Sequence, residues 1–240
     1  QPQGLIKALT SNSYFRFAVV RNPYTRIFSA WQSKLLLREP LQSHSFVHCD
    51  FYKRPINNEE DIALAYEGFL EHLLSLDEAH FDAHWKPQFS LLRPDLISYS
   101  KLAKREHVND LIVELRRHMD ASIPKPFGDR PKNESLIPYS RKFVTDRSVE
   151  IIQELYAKDF EAFEYDVPPL GGRKDFSTAE LNVAIRAIEL IRARHQRLGQ
   201  ISNHRQLRIT EEVKQRDEQI ADLQNKLSGA HGELNELRNG

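Results

Sequence analysis

The feature that most constrains this fold is an apolar run that stops on an arginine, an asparagine and a proline. Residues 14–20 read YFRFAVV and residues 21–23 read RNP. β-Branched and aromatic residues in so short a run predict a buried strand. Asn22 suits an N-cap and Pro23 the first helical position. From Pro23 to about Leu37 the apolar residues Ile27, Ala30, Trp31 and Leu35 recur at helical spacing. The chain therefore opens on strand, tight turn and helix, a unit from which α/β folds are built.

Further along, a polar loop runs to about Asn57. Asn58 followed by Glu59 and Glu60 opens a second helix, with Ile62, Ala65, Tyr66, Phe69, Leu70 and Leu73 as its apolar stripe. Residues 80–94 have no clean period and read as an ordered loop with a short turn of helix. Residues 95–99 (DLISY) read as a second core strand, parallel to 15–20, with the long segment between as the crossover. Residues 107–119 give a third helix with Leu111, Ile112, Leu115 and Met119 inward. A Pro-rich connection follows over about 120–140. Thr145 then caps a fourth helix to about Tyr156, and Trp85, Phe160, Phe163 and Tyr165 read as core.

Composition changes near residue 168. Pro and Gly make 168–176 a linker between a domain over 1–167 and a helical segment over 177–240. From about Ile209 a heptad predicts a coiled coil. Val213, Ile220, Leu227 and Leu234 take one core position; Ile209, Leu223, Ala230 and Leu237 take the other, with Arg216 interrupting.

The 34 Lys and Arg balance the 34 Asp and Glu, so no global field advertises a nucleic-acid partner. An anion site must come from local placement. Arg21 offers one, at the carboxyl end of a strand and beside a helix N-terminus, where free N–H groups and a guanidinium can grip a phosphate. Ser29 stands about two turns into the helix, and Arg26, three residues before it, shares that face. Ion pairing for the two arginines is the plainer alternative. The ten His are scattered with no metal-ligand spacing, so no metal is expected. The only cysteine, Cys49, cannot form an internal disulfide, which favours a reducing compartment. The sequence holds no apolar run of membrane-spanning length and no signal-peptide pattern.

The whole string Arg21-Asn22-Pro23-x-x-Arg26-x-x-Ser29-Ala30-Trp31-x-x-Lys34 resembles the 3′-phosphate-binding motif of sulfotransferases that use 3′-phosphoadenosine 5′-phosphosulfate. It looks most like the Golgi-type carbohydrate sulfotransferases and their bacterial relatives. His84-Trp85-x-Pro87-Gln88, Ile97-x-Tyr99 with Glu106-x-x-x-Asp110, and Tyr156-x-x-Asp159-Phe160-x-x-Phe163-x-Tyr165 follow in that family's order, over roughly residues 14–166. The resemblance implies an α/β, P-loop-like sulfotransferase core with a parallel sheet flanked by helices. It implies sulfuryl transfer from 3′-phosphoadenosine 5′-phosphosulfate to a hydroxyl of a carbohydrate or glycoconjugate acceptor. Arg21, Ser29 and Arg26 would bind the cofactor, and His84 is the candidate general base, with a structural His beside Trp85 as the alternative.

Three departures from the family pattern shape the expectations. Residues 1–20 contain no Gly- and Lys-bearing phosphosulfate loop, and Lys7 lacks the setting for one, so the domain is expected to be N-terminally incomplete. After His84-Trp85 the chain lacks the cysteines of secreted animal members, which points to a cytoplasmic, bacterial-type relative, free or membrane-associated, rather than one of the Golgi lumen. The heptads lie outside the catalytic module and suit self-association or pairing with a neighbouring domain. A non-catalytic module assembled through that coiled coil is the alternative function. A P-loop kinase is disfavoured because no Gly-x-x-x-x-Gly-Lys-Ser/Thr string occurs. Tyr139, Ser140, Arg141 and Lys142 read as an ordinary turn, though related enzymes close over the nucleotide there.

Overall fold

A computed structural model describes residues 4, 7–9, 11, 13–119, 135–167 and 176–239. Residues 120–134 of the expected connection and residues 168–175 of the linker lie outside the described residues. The chain divides into two compact units, residues 1–192 and 193–240.

The first unit is built mostly of helices around one small parallel sheet. Strand β1 (Phe17–Val20) pairs with β2 (Lys101–Lys104), Phe17 opposite Lys101 and Val20 opposite Lys104. Helix α1 (Pro23–Trp31) follows β1 directly and passes into a π-helical turn, Gln32–Leu36. It ends at Arg38, whose φ of 56° stops further helix. After the short α2 (Asp50–Lys53) comes α3 (Glu59–Leu74), where Asn58 accepts from the Asp61 N–H. Next are α4 (Gln88–Leu92), α5 (Val108–Met119), α6 (Asp146–Leu155), capped by Thr145, and α7 (Ala157–Ala162). The core lies between α1, α3, α6 and α7, where Phe28, Trp31, Tyr66, Phe69 and Ile152 are almost fully buried. Gly68 lets α3 approach α2, because a Cβ there would sit 2.8 Å from the Phe51 Cβ.

The second strand lies at 101–104, not 95–99. Arg93 adopts a left-handed conformation, and its carbonyl then accepts from the Leu96 and Ile97 N–H groups, curling 95–97 into a turn. Ladder pairing starts only where the Arg16 carbonyl meets the N–H groups of Ser100 and Lys101. A second correction concerns β1. Among the described residues the sheet has two strands, so both are edges, and Phe17 and Val19 are 46% and 44% exposed. Alternate residues face opposite sides of a strand, so the buried-strand reading, with helices on both faces, holds for Val20 and not for these two. Met119, expected inward on α5, is exposed as well, while Leu111 and Ile112 are buried.

Helix α8 runs over Thr178–Asn239. Leu181, Ala184 and Ile188 join the core cluster of the first unit, and the Arg192 Nε donates to the Leu36 carbonyl at 2.7 Å. In the second unit the helical residues from 193 to 227 are mostly exposed, among them Ile209, Val213, Ile220, Leu223 and Leu227.

Candidate active site

The turn from β1 into α1 is held from three directions. Locally, Asn22 caps the helix by accepting from the Tyr24 N–H at 3.0 Å, and Pro23 takes the first helical position. Across the chain, the Gln88 side chain clamps the Arg21 backbone in both senses. The Arg21 N–H donates to Gln88 Oε1 at 2.9 Å, and Gln88 Nε2 donates to the Arg21 carbonyl at 2.8 Å. Gln88 is itself fixed by Asp159, which is fully buried. The Asp159 carboxylate accepts from the Gln88 N–H at 2.9 Å, from the Phe89 N–H at 2.7 Å and from Gln88 Nε2 at 3.3 Å. It therefore caps α4 from a distance, doing what Pro87 cannot. Burial pushes the Asp159 carboxyl above the usual value, against those N–H bonds and the nearby Arg26. On the strand side, the Tyr165 hydroxyl lies 3.2 Å from the Val20 carbonyl and 3.1 Å from Glu106 Oε2, one proton shared between two acceptors.

The side chains divide as follows. Arg21 Nε donates to Thr25 Oγ1 at 3.1 Å, and that hydroxyl donates to the Asn22 carbonyl at 3.2 Å, so the guanidinium is steered along the first turn of α1. Ser29 Oγ lies 3.2 Å from Ser135 Oγ. The stretch bearing Ser135 is anchored by a second buried amide clamp: Gln32 Nε2 donates to the Ile137 carbonyl at 2.7 Å, and the Ile137 N–H donates to Gln32 Oε1 at 2.9 Å. Arg26 turns to the loop before α4, donating to the Ala83 carbonyl at 3.1 Å. Burial lowers the pKa of its guanidinium, and Tyr156 and Asp159 oppose that. Its place is thus a post between α1 and the turn that carries His84.

His84 is exposed, and its Nδ1 sits 2.5 Å from Asp82 Oδ1, which also accepts the His84 backbone N–H at 2.9 Å. Burial alone would raise the Asp82 pKa. Hydrogen bonds from the His84 amide and ring, with the charges of His84 and Lys34, outweigh it and hold the carboxyl below its ordinary value. An ionised carboxylate can only accept, so Nδ1 carries the proton of this contact and Nε2 is the ring nitrogen turned away from Asp82. Trp85 beside it is buried, and its carbonyl accepts from the Tyr156 hydroxyl at 2.5 Å. In the late turn, Tyr139 packs edge-on against Phe28, 5.7 Å between ring centroids, and Arg141 pairs with Asp146 and the Val144 carbonyl. Among the described residues no cluster of His, Cys, Asp and Glu could hold a metal, and no helix is long and apolar enough to cross a membrane.

Sequence reasoning did not assign roles to Gln88, Asp159, Gln32 or Asp82. The first three act across 67 to 105 residues of chain, with no local signal. Asp82 had one: an Asp two residues before a His is positioned for an Asx-type turn onto that residue's N–H.

The sequence model described as "Sulfotransferase family" matches residues 1–166. Carbohydrate sulfotransferase 10 of Xenopus laevis is 25% identical over 173 residues, covering 65% of this chain and 49% of its own length. Carbohydrate sulfotransferase 14 of Mus musculus is 25% identical over 164 residues, 65% of this chain and 43% of its own. Carbohydrate sulfotransferase 11 of Rattus norvegicus is 25% identical over 170 residues, with 65% and 48% covered. The chain thus spans about half the length of the curated relatives it matches. No solved structure matches it.

Proposed function

The chain belongs to the sulfotransferase family, and on that premise we propose that it serves the transfer of a sulfuryl group to a hydroxyl of a carbohydrate or glycoconjugate. The observation that carries the reading is the Arg21 turn. A backbone clamped by Gln88 and a helix capped by Asn22 hold a guanidinium at the carboxyl end of β1, with the Ser29 hydroxyl farther along the same helix. Ligands of α/β sheets bind at that end, and a fixed cation with a hydroxyl donor suits a phosphate. Arg21 and Ser29 would hold the 3′-phosphate of 3′-phosphoadenosine 5′-phosphosulfate, which supplies the sulfuryl group when bound. Arg26 supports the adjoining loop through the Ala83 carbonyl. His84 takes the proton of the acceptor hydroxyl at Nε2, while Asp82 fixes the tautomer and steadies the imidazolium that forms. A reducing, cytoplasmic or membrane-surface location is part of the proposal, on the ground of a single cysteine.

The test is paired. Arg21→Ala in the intact protein should weaken binding of adenosine 3′,5′-bisphosphate by about 2–5 kcal/mol. His84→Ala should abolish sulfate transfer in a radiolabel assay while leaving that affinity nearly unaltered. Unchanged affinity in the first variant, or full turnover in the second, would remove the assigned role.

We also infer that the extension self-associates, and its charges favour antiparallel pairing. With Val213, Ile220 and Leu227 at heptad position a, Arg216 and Leu223 fall at d, Glu212 and Lys226 at g, and Asp217 at e. A parallel pair would set Arg216 against Arg216 and Glu212 against Asp217 of the second copy. An antiparallel pair sets Val213 on Leu223, Ile220 on Arg216 and Leu227 on Ile209, and brings Glu212 to Lys226 at both ends. Both groups now make ion pairs along their own helix, Glu212 with Arg208 at 3.6 Å and Lys226 with Asp222 at 2.7 Å. Such exposed pairs are weak and exchange readily.

A further inference from the structure

Beside the loop that carries His84 lies a cavity of about 380 Å³, within the small-molecule range of about 300–1,000 Å³. We propose that it seats an uncharged sugar ring of the acceptor, next to the hydroxyl that His84 deprotonates. The inference rests on the carbohydrate sulfotransferase reading and adds to it a place and a charge preference. Three features of the lining carry it.

First, Asp82 is common to the cavity and to the dyad: it lines the one, and its Oδ1 holds the His84 ring. Its other oxygen makes no described hydrogen bond and is an acceptor for a sugar hydroxyl. A ring bound here therefore lies within one side chain of the base. Second, the wall joins an aromatic floor to polar edges, as a sugar requires, with C–H faces and hydroxyl rims. Phe46 and Trp85 meet edge to face at 5.6 Å between centroids, and Gln42, Ser45 and His80 supply donors and acceptors. Exposed Leu41 and Leu76 extend the apolar surface around it. Third, the described lining includes no Lys or Arg, while Asp82 is ionised. His72, half-buried in the lining, has its pKa lowered by burial and is a neutral imidazole near pH 7. A uronate or sulfate placed there would meet that carboxylate, while Lys34, whose charge reaches Asp82, lies outside the lining and pairs with Glu39 at 3.3 Å. A hexose or N-acetylhexosamine meets no such penalty.

The experiment titrates the chain with lactose, cellobiose, N-acetyllactosamine and cellobiouronic acid, followed by protein NMR, with adenosine 3′,5′-bisphosphate measured in parallel by calorimetry. Ser45→Trp plugs the cavity from an exposed position, and Gln42→Ala removes one polar edge; melting temperatures verify that both fold. The neutral disaccharides should perturb Gln42, Ser45 and Trp85 signals, bind about tenfold more tightly than the uronic analogue, and lose at least about tenfold in Ser45→Trp and less in Gln42→Ala. The nucleotide affinity should stay unchanged in both variants. Equal binding of the uronic analogue, or sugar affinity unaffected by both variants, would overturn the proposal. Absence of sugar binding with nucleotide binding intact would overturn the cavity alone; absence of both would overturn the sulfotransferase reading with it.

Discussion

Replacing Gln88 by Leu tests whether the Arg21 turn is held by the amide clamp or by its own cap. The side chains are similar in volume, and Gln88 is buried, so packing is roughly kept while the polar contacts vanish. Two bonds to Arg21, at 2.9 and 2.8 Å, are lost, with the 3.3 Å bond to Asp159. An unsatisfied buried backbone group costs about 1–3 kcal/mol. Two such groups, less the gain from burying an apolar side chain, give a loss of about 2–4 kcal/mol. At about 2–4 °C per kcal/mol for a unit of this size, melting should fall by roughly 5–15 °C. The affinity for adenosine 3′,5′-bisphosphate should fall about tenfold or more, since the guanidinium is no longer preorganised. Gln88→Glu is the sharper variant. It keeps an acceptor for the Arg21 N–H but sets a carboxylate beside that of Asp159, and protonation would restore the donor to the Arg21 carbonyl. Its deficit should therefore shrink as pH drops below about 5. Differential scanning calorimetry and titration calorimetry measure both effects. A Gln88→Leu protein that melts within about 2 °C of the parent and binds nucleotide equally well would refute the clamp.

Other outcomes follow from single contacts. Gly68→Ala would place a Cβ 2.8 Å from the Phe51 Cβ, so α2 must move and stability should fall by about 1–3 kcal/mol in urea titration. The Asp82 pKa is lower folded than unfolded, so its bond to His84 stabilises fully above the ordinary aspartate value of about 3.9 and the benefit fades as pH falls through the depressed value. The melting difference between the parent and Asp82→Asn should accordingly be largest near neutrality and close below that range. In the extension, Glu212→Lys should weaken association in sedimentation equilibrium, and adding Lys226→Glu should restore it; strengthening by the single change would indicate parallel pairing instead.

Much of the fold's beginning is written locally. Asn22 and Pro23 start α1, and Asn58 starts α3, because a cap is a hydrogen bond closed within two or three residues. The apolar stripe of α3 was legible for the same reason: Ile62, Tyr66, Phe69, Leu70 and Leu73 repeat at the helical period and are buried. The position of Arg21 at a strand–helix junction could likewise be read from the largely apolar run 14–20 meeting Arg-Asn-Pro. What the string could not fix was partnership. DLISY has strand-like composition, yet the left-handed Arg93 turns it away, and pairing starts where the Arg16 carbonyl reaches Ser100 and Lys101. The apolar look of β1 likewise gave no hint that Phe17 and Val19 would be exposed, since that depends on which faces other elements cover. Gln88 and Asp159 matched a family pattern but showed no reason for being there until the chain brought them to Arg21 from 67 and 138 positions away. Hydrogen bonds closed within a turn depend only on neighbouring residues and are encoded where they act. Those that hold the Arg21 turn close over most of the domain, so only the packed tertiary structure selects which buried amide and which carboxylate will satisfy it.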